Sequence, residues 1–246
     1  MKKPTLSQKD EILFSKLRRA TVDSIWSVLN DLGLPDLFVN QLICVNPDLK
    51  MVGRAVTLRY LPFRKDLAQG KLAEVAYTLN KSVADQARPG DVLVIDAGGD
   101  TGGGCLGDLI FARLLARGVA GLVCDGAVRD LSITKDMGAP IYTRGMHAAG
   151  YARVLMAVDR DLPVKIGGVT VAPGDILVGD LQGFMVIPPH LAEEVARRAL
   201  MLDHEETFQR QRIQEDLTIP LSKAYPMDEK MRAQYEEWKK EHPLEP

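Results

Sequence analysis

The chain has 246 residues, 46% hydrophobic and 26% charged, with a formal net charge of −2. That length and balance suit a single domain over 1–246 with a sizeable core, and near-neutral charge leaves no electrostatic footprint for nucleic acid. The sequence offers no apolar run near the roughly 20 residues of a membrane span and no secretory signal. Its three cysteines lack a CxxC spacing, which points to reduced thiols and a cytoplasmic protein.

Residues 8–32 read as two helical pieces. In the second, Thr21 is placed as an N-cap, and Val22, Ile25, Trp26 and Leu29 share one face. GRAVTLRYLP (53–62) reads as a strand ending at Pro62. KLAEVAYTLNKSVADQA (71–87) has helical periodicity, and RPG (88–90) turns the chain into the strand DVLVIDA. The order then repeats, with a helix at 108–117, a strand VAGLVC (119–124), a helix near 130–137 and a strand PIYT (140–143). This alternation predicts an α/β layer.

Beyond residue 160 the texture turns β-rich with short glycine and proline turns, which predicts a compact β unit. Residues 190–215 read as one long amphipathic helix, followed by a polar tail. Tyr225, Met227, Tyr235 and Trp238 are anchors by which that tail docks on a surface, its own or a neighbour's.

The chemistry concentrates in DAGGDTGGGCLGDLIFARLL (96–115). Gly102-x-Gly104-x-x-Gly107 sits between strand and helix, and Asp125 follows about 20 residues on, as in a dinucleotide fingerprint. Three features oppose that reading. The loop is long before its first fingerprint glycine, Asp96 and Asp100 make it acidic, and Asp108 occupies the helix start that a pyrophosphate needs. A single carboxylate fits better, because glycines admit close backbone approach and the amides of Gly107, Asp108, Leu109 and Ile110 are helix-start donors. Asp108 then handles water or a metal shell, or merely caps its helix.

One strand later, GLVCDGAVRD (121–130) delivers Arg129 and Asp130 to the same crevice if the two strands are neighbours. Arg129 has the planar fork for a carboxylate or enolate oxygen. Asp130 is a hard oxygen donor, with Asp108 and Asp125 nearby, and one carboxylate with waters and substrate oxygens is a common way to hold Mg²⁺. A structural Arg–Asp pair capping the next helix explains the spacing equally well.

GDLI (107–110) followed by DGAVRD (125–130) resembles the 4-hydroxy-4-methyl-2-oxoglutarate aldolase family, which includes the regulator of ribonuclease E activity A. The shared pattern is an Asp, twenty intervening residues and then Arg-Asp, here Asp108, Arg129 and Asp130. RPGDVLVIDAGG, TRG (143–145) and GGVTVAPGDILVGDLQG (167–183) match in order, so the resemblance covers roughly 20–205, with 206–246 a helix end and docking tail.

The resemblance implies a swivelling β/β/α fold, a compact β core flanked by helices, assembled as a homotrimer or homohexamer. It implies a metal-dependent pyruvate aldolase, with the amides of Gly107, Asp108, Leu109 and Ile110 and the side chain of Arg129 on a small 2-oxo acid. Asp130 would anchor Mg²⁺ or Mn²⁺, and Glu205 or Glu206 of a neighbouring subunit would complete the outer shell. Catalysis would fall to Arg129 and Asp108, with oxaloacetate decarboxylation as a second activity. The glycine-rich TGGGCLGD and His147 depart from the pattern and bear on substrate choice. Rival readings are a Schiff-base lysine (Lys135 or Lys165), a Cys105 nucleophile and a non-enzymatic regulator of a ribonuclease. A methyltransferase is rejected for want of a nucleotide loop.

Overall fold

Two short polar side chains start the first two helices. In the computed structural model, Ser7 accepts from the amide of Asp10 to cap α1 (Gln8–Arg19), and Thr21 accepts from that of Ser24 to cap α2 (Val22–Asp31). The structure describes residues 5–67 and 71–244, with the backbone alone for 71–77. Val22, Ile25 and Leu29 are buried as their spacing predicts. Trp26 is not: the residue is 41% exposed and its indole N–H donates to the carbonyl of Pro35.

Two strands too short to leave a periodic trace follow, β1 (Phe38–Val39) and β2 (Ile43–Cys44). Then come β3 (Met51–Pro62), α3 (Lys71–Gln86), β4 (Asp91–Asp96), α4 (Asp108–Ala116), β5 (Gly121–Val128), α5 (Leu131–Thr134) and β6 (Ile141–Met146). The β-rich stretch supplies β7 (Leu155–Arg160), β8 (Val164–Ile166), β9 (Val169–Val171), β10 (Ile176–Asp180) and β11 (Gly183–Ile187). The chain closes with α6 (Ala192–Glu215), α7 (Leu221–Ala224) and α8 (Glu229–Glu241).

Nine strands form one sheet in the order β1-β11-β10-β3-β4-β5-β6-β2, with β7 beside the far half of β3 and the β8–β9 hairpin separate. β3, β4, β5 and β6 run parallel. The sheet curls strongly. Tyr142 of β6 and Phe184 of β11 have ring centroids 5.4 Å apart, although four strands separate theirs. Laid flat, those strands would be about 24 Å apart. The Tyr142 hydroxyl also donates to the carbonyl of Asp180 across the same gap at 2.6 Å.

Period-two alternation decides what each face holds. Val92, Val94, Val123, Leu177 and Val186 point into the curl, which the hairpin residues Val164, Ile166 and Val171 fill. Their neighbours Leu93, Ile95, Leu122 and Cys124 pack outward with Val83 of α3 and Phe111 and Leu114 of α4. Ile176, Val178, Met185 and Ile187 pack under α1, α2 and α6. The result is a compact β core flanked by helices.

Two boundaries differ from the sequence reading, and both matter for the site. GLVCDGAV stays in strand to Val128, so Asp125 lies within β5 and is 4% exposed. The helix expected near 130–137 is the single turn α5. At the C-terminus the tail docks on its own chain: Met227, Met231 and Tyr235 bury against Phe208 of α6, with Trp238 beside them. His204 of α6 bridges the Tyr235 hydroxyl at 2.8 Å and the carbonyl of His242 at 2.7 Å. Tyr225, by contrast, is 70% exposed.

Candidate functional site

After β4 the chain spends eleven residues, 97–107, crossing the carboxyl end of β5 before α4 begins. This loop is pinned by backbone hydrogen bonds. Gly99 donates to Asp125 and Cys105 to Ala127, while Arg129 donates back to Leu106, all at 2.8–2.9 Å. On its other side Gly104 donates to Ala149 at 2.8 Å, and Tyr151 donates to Gly104 at 3.2 Å. The loop is an added ladder between β5 and residues 149–151.

The glycines serve this close packing. A Cβ on Gly104 would lie 2.7 Å from Cβ of Arg129 and 2.9 Å from its backbone nitrogen. One on Gly107 would lie 2.6 Å from Oδ2 of Asp130, and one on Gly103 would lie 2.9 Å from Cα of Tyr151. What resembled a dinucleotide fingerprint is a surface shaped to the Arg129–Asp130 pair.

Asp130 sits in the left-handed region (φ 55°, ψ 30°) between β5 and α5. Asp enters that region more readily than most residues, yet a non-glycine there remains uncommon and is concentrated at functional sites. Its Oδ2 accepts from Nε of Arg129 at 3.0 Å, and the two side chains are 29% and 42% exposed. Asp108, at the first turn of α4, accepts at Oδ1 from the amide of Leu109 at 2.8 Å. Among the described residues, the amides of Gly107, Asp108 and Ile110 carry no intramolecular hydrogen bond, which leaves helix-start donors for an anion.

All six residues singled out from sequence, Gly107, Asp108, Leu109, Ile110, Arg129 and Asp130, line one cavity of about 660 Å³. Among the lining residues that went unnoticed are Asn80 and Lys81 from α3, and Tyr151 and Arg153 from the turn after β6. They are far from the motif in sequence and belong to no pattern of their own.

Most of the other candidates lie elsewhere. Asp125 is no ligand: it pairs with Arg144 and accepts from the amide of Gly167, which ties β5 to the β8–β9 hairpin. Asp96 and Asp100 accept from the loop amides of Gly98 and Gly102. His147 is half-buried and accepts at Nδ1 from the amide of Ala149, outside the cavity lining. Lys135 and Lys165 are also absent from the lining. Cys105 does line the cavity but is almost wholly buried in the glycine loop, and its thiol, with burial, pushes the Cys124 thiol well above its ordinary value. Glu205 and Glu206 lie on α6 and do not line this chain's cavity.

The two carboxylates, Asp108 and Asp130, offer hard oxygen donors at one cavity, with the Arg129 cation beside them. Among the described residues no group of three His, Cys, Asp or Glu side chains is close enough to cage an ion. That argues against a tetrahedral zinc site. It fits an ion such as Mg²⁺, which keeps most of its waters and takes one or two carboxylates.

A family model described as Aldolase/RraA (RraA-like) matches residues 23–186, two thirds of the chain and the whole of this site. The chain belongs to that family. A Halalkalibacterium halodurans protein named "Putative 4-hydroxy-4-methyl-2-oxoglutarate aldolase" is 40% identical over 114 residues, which cover 46% of this chain and 54% of that protein. Protein DlpA of Legionella pneumophila is 29% identical over 154 residues, 63% of this chain and 24% of that protein. The match thus spans about half, or less, of these relatives' length.

The solved structure of Streptomyces coelicolor RraAS2, titled an unusual member of the RNase ES inhibitor RraA protein family, is similar over 86% of this chain and 98% of its own. It has 30% identity and a TM-score of 0.71. An uncharacterized protein from Pseudomonas syringae pv. tomato shares the fold over 93% of this chain and 98% of its own, with TM-score 0.76 and 24% identity. Among the described residues no helix is long and apolar enough to cross a membrane.

Proposed function

We propose that this chain is a carbon–carbon lyase that cleaves a 4-hydroxy-2-oxo acid to release pyruvate, with Mg²⁺ or Mn²⁺ as cofactor. One observation carries the reading: Asp108, Arg129, Asp130 and the unpaired amides at the start of α4 share one cavity. In the reaction the 4-hydroxyl loses its proton and the C3–C4 bond breaks. The electron pair stays on C3 as the pyruvate enolate, C4 leaves as a carbonyl, and a proton delivered to C3 completes pyruvate.

Catalysis means stabilising the enolate charge as it develops. The guanidinium of Arg129 faces the pyruvyl oxygens with a fixed positive charge and two-pronged geometry. The amides of Gly107, Asp108 and Ile110 orient the carboxylate at the positive end of α4. Asp108 positions a water that takes the 4-hydroxyl proton, and Asp130 holds the ion from its left-handed corner. The ion supplies, when bound, a Lewis acid at the 2-oxo oxygen. Loss of CO₂ from oxaloacetate yields the same enolate, so that decarboxylation is expected as a second activity. In a homotrimer or homohexamer, Glu205 or Glu206 from a neighbouring copy completes the outer shell.

A second reading, a regulator that binds a ribonuclease, draws on the 30% identity to the Streptomyces coelicolor protein of that inhibitor family. Such a regulator has no use for the Asp108, Arg129 and Asp130 set. The deciding experiment is a pyruvate-release assay over 4-hydroxy-2-oxo acids and oxaloacetate, with Mg²⁺ or Mn²⁺ and with chelator. Turnover that needs the ion supports the lyase. Full turnover in excess chelator with trapping by borohydride would point to a lysine Schiff base. No turnover, together with a stable ribonuclease complex, would favour the regulator.

A further inference from the structure

His147, set apart in the sequence as a departure from the family pattern, does not line the cavity, but residues 149–151 just after it do. Its own amide donates to the carbonyl of Val128 at 3.0 Å, so the residue is anchored to β5 one position before Arg129. From that fixed point the imidazole turns toward the strip that follows, with Nδ1 3.0 Å from the amide nitrogen of Ala149. A backbone N–H can only donate, so Nδ1 presents its lone pair and the ring proton sits on Nε2. The Ala149 carbonyl, 3.4 Å from the same ring nitrogen, accepts instead from the amide of Gly104 at 2.8 Å.

That bond reaches the site through the strip. Gly104 donates to Ala149 and accepts from Tyr151, so the glycine loop is laced to residues 149–151. A Cβ on Gly150 would stand 3.6 Å from Nη1 of Arg129, so the strip also borders the guanidinium whose Nε is held by Asp130. Yet the strip has little packing of its own, since Ala148, Ala149 and Gly150 are all exposed, and segments with few buried contacts open readily. We infer that His147 is a positioning residue: by holding Ala149, its Nδ1 lone pair keeps the strip against Gly104 and the fork of Arg129. The inference rests on the lyase reading, in which Arg129 acts in the transition state.

Two substitutions test this. His147→Leu keeps much of the bulk without the acceptor, whereas His147→Asn puts an amide oxygen near the place of Nδ1. With Mg²⁺ present, kcat for pyruvate release should fall roughly 10- to 50-fold in His147→Leu, because about 1 Å of misplacement costs on the order of 100-fold. KM should change by less than about threefold, and His147→Asn should restore kcat to within about threefold of wild type. Both variants should melt within about 3 °C of wild type, as expected for a partly exposed residue. Wild-type kcat in His147→Leu overturns the inference. So does an Asn variant as impaired as the Leu variant, which would assign the effect to the ring and not to its lone pair.

Hydrogen exchange separates this from failure of the lyase reading. The amides of Ala149 and Gly104 should exchange roughly 2- to 10-fold faster in His147→Leu than in wild type or His147→Asn, the range for one lost hydrogen bond. That pattern with no turnover of any substrate would keep the hold of His147 on the strip and refute the lyase. Unchanged exchange at both amides would refute the role of His147 whatever the turnover.

Discussion

Replacing Gly107 by Ala should damage the site while sparing the fold. Gly107 has φ −123° and ψ −177°, a backbone that any residue adopts, so the only obstacle is space. The new methyl would stand 2.6 Å from Oδ2 of Asp130, which must retreat by about 0.8 Å to reach ordinary contact at 3.4 Å. Cγ of Arg129, at 3.0 Å, must also give a few tenths of an ångström. Both atoms belong to side chains, so rotamer shifts absorb the clash at about 0.5–1.5 kcal/mol. In a chain of 246 residues that lowers the melting temperature by only about 1–6 °C. Catalysis is less forgiving, since misplacement of a reacting group by about 1 Å costs on the order of 100-fold. The expected outcome is a fall of roughly 10- to 100-fold in kcat/KM for pyruvate release, with weakened binding of Mg²⁺. Gly104→Ala is the control, because its methyl meets the backbone nitrogen of Arg129 at 2.9 Å and should lower stability and activity together. The reasoning fails if Gly107→Ala keeps kcat/KM within twofold of wild type, or if its melting temperature falls as far as that of Gly104→Ala.

Asp130→Ala should abolish metal-dependent turnover with the fold intact, since the Asp130 side chain is partly exposed and pairs with its partly exposed neighbour Arg129; near-normal rates with Mg²⁺ would reduce Asp130 to a turn residue. Arg129→Lys keeps the charge but loses the fork, so kcat should fall much more than KM rises, and a raised KM with unchanged kcat would reassign Arg129 to simple holding. The Arg54 hydrogen bond holds the Asp10 carboxyl below its ordinary 3.8, against a smaller effect of burial. A lowered folded value contributes stability above 3.8 that is lost as pH falls through it. The melting-temperature gap between wild type and Asp10→Asn should therefore be full near neutrality and close under acid, and a gap that widens on acidification would contradict this ion pair.

The parts of the fold that follow from period were legible in the sequence. β4 and α4 appear where the spacing puts them, and the motif residues share a cavity because parallel neighbours β4 and β5 end on the same side. The misreadings have local causes. Asp125 and Gly126 look like a loop because both are poor strand formers. Yet a Cβ on Gly126 would lie 2.6 Å from that of Ala97, so this glycine admits the glycine loop instead of a turn, and Asp125 is held by Arg144 inside β5. Trp26 follows the helical period of α2 but lies at the edge of its buried face, where the Pro35 carbonyl offers its indole a partner. Asn80 left no signal at all. A polar residue in a helix reads as solvated until the tertiary structure places it under a loop that is close to it only in space.

The spacing of Asp108 from Arg129–Asp130 has a structural reason beyond family likeness. Asp108 starts α4 at the carboxyl end of the sheet, and the nine residues of α4 carry the chain back toward the opposite end. A turn through Gly118, at φ 86°, reverses it, and the eight residues of β5 return it to the starting side. At about 1.5 Å per helical residue and 3.3 Å per strand residue, helix and turn together must match a strand of some 26 Å. Twenty intervening residues are the length of one such right-handed crossover. The register within β5 then fixes which side chains reach the cavity, because a shift of one residue would send each to the other face. The irregularity between Cys124 and Ala127 sets that register next to the site, where the loop binds the strand through Cys105 and Leu106. The glycine loop therefore does more than border the cavity: its hydrogen bonds to β5 hold Arg129 and Asp130 facing the start of α4.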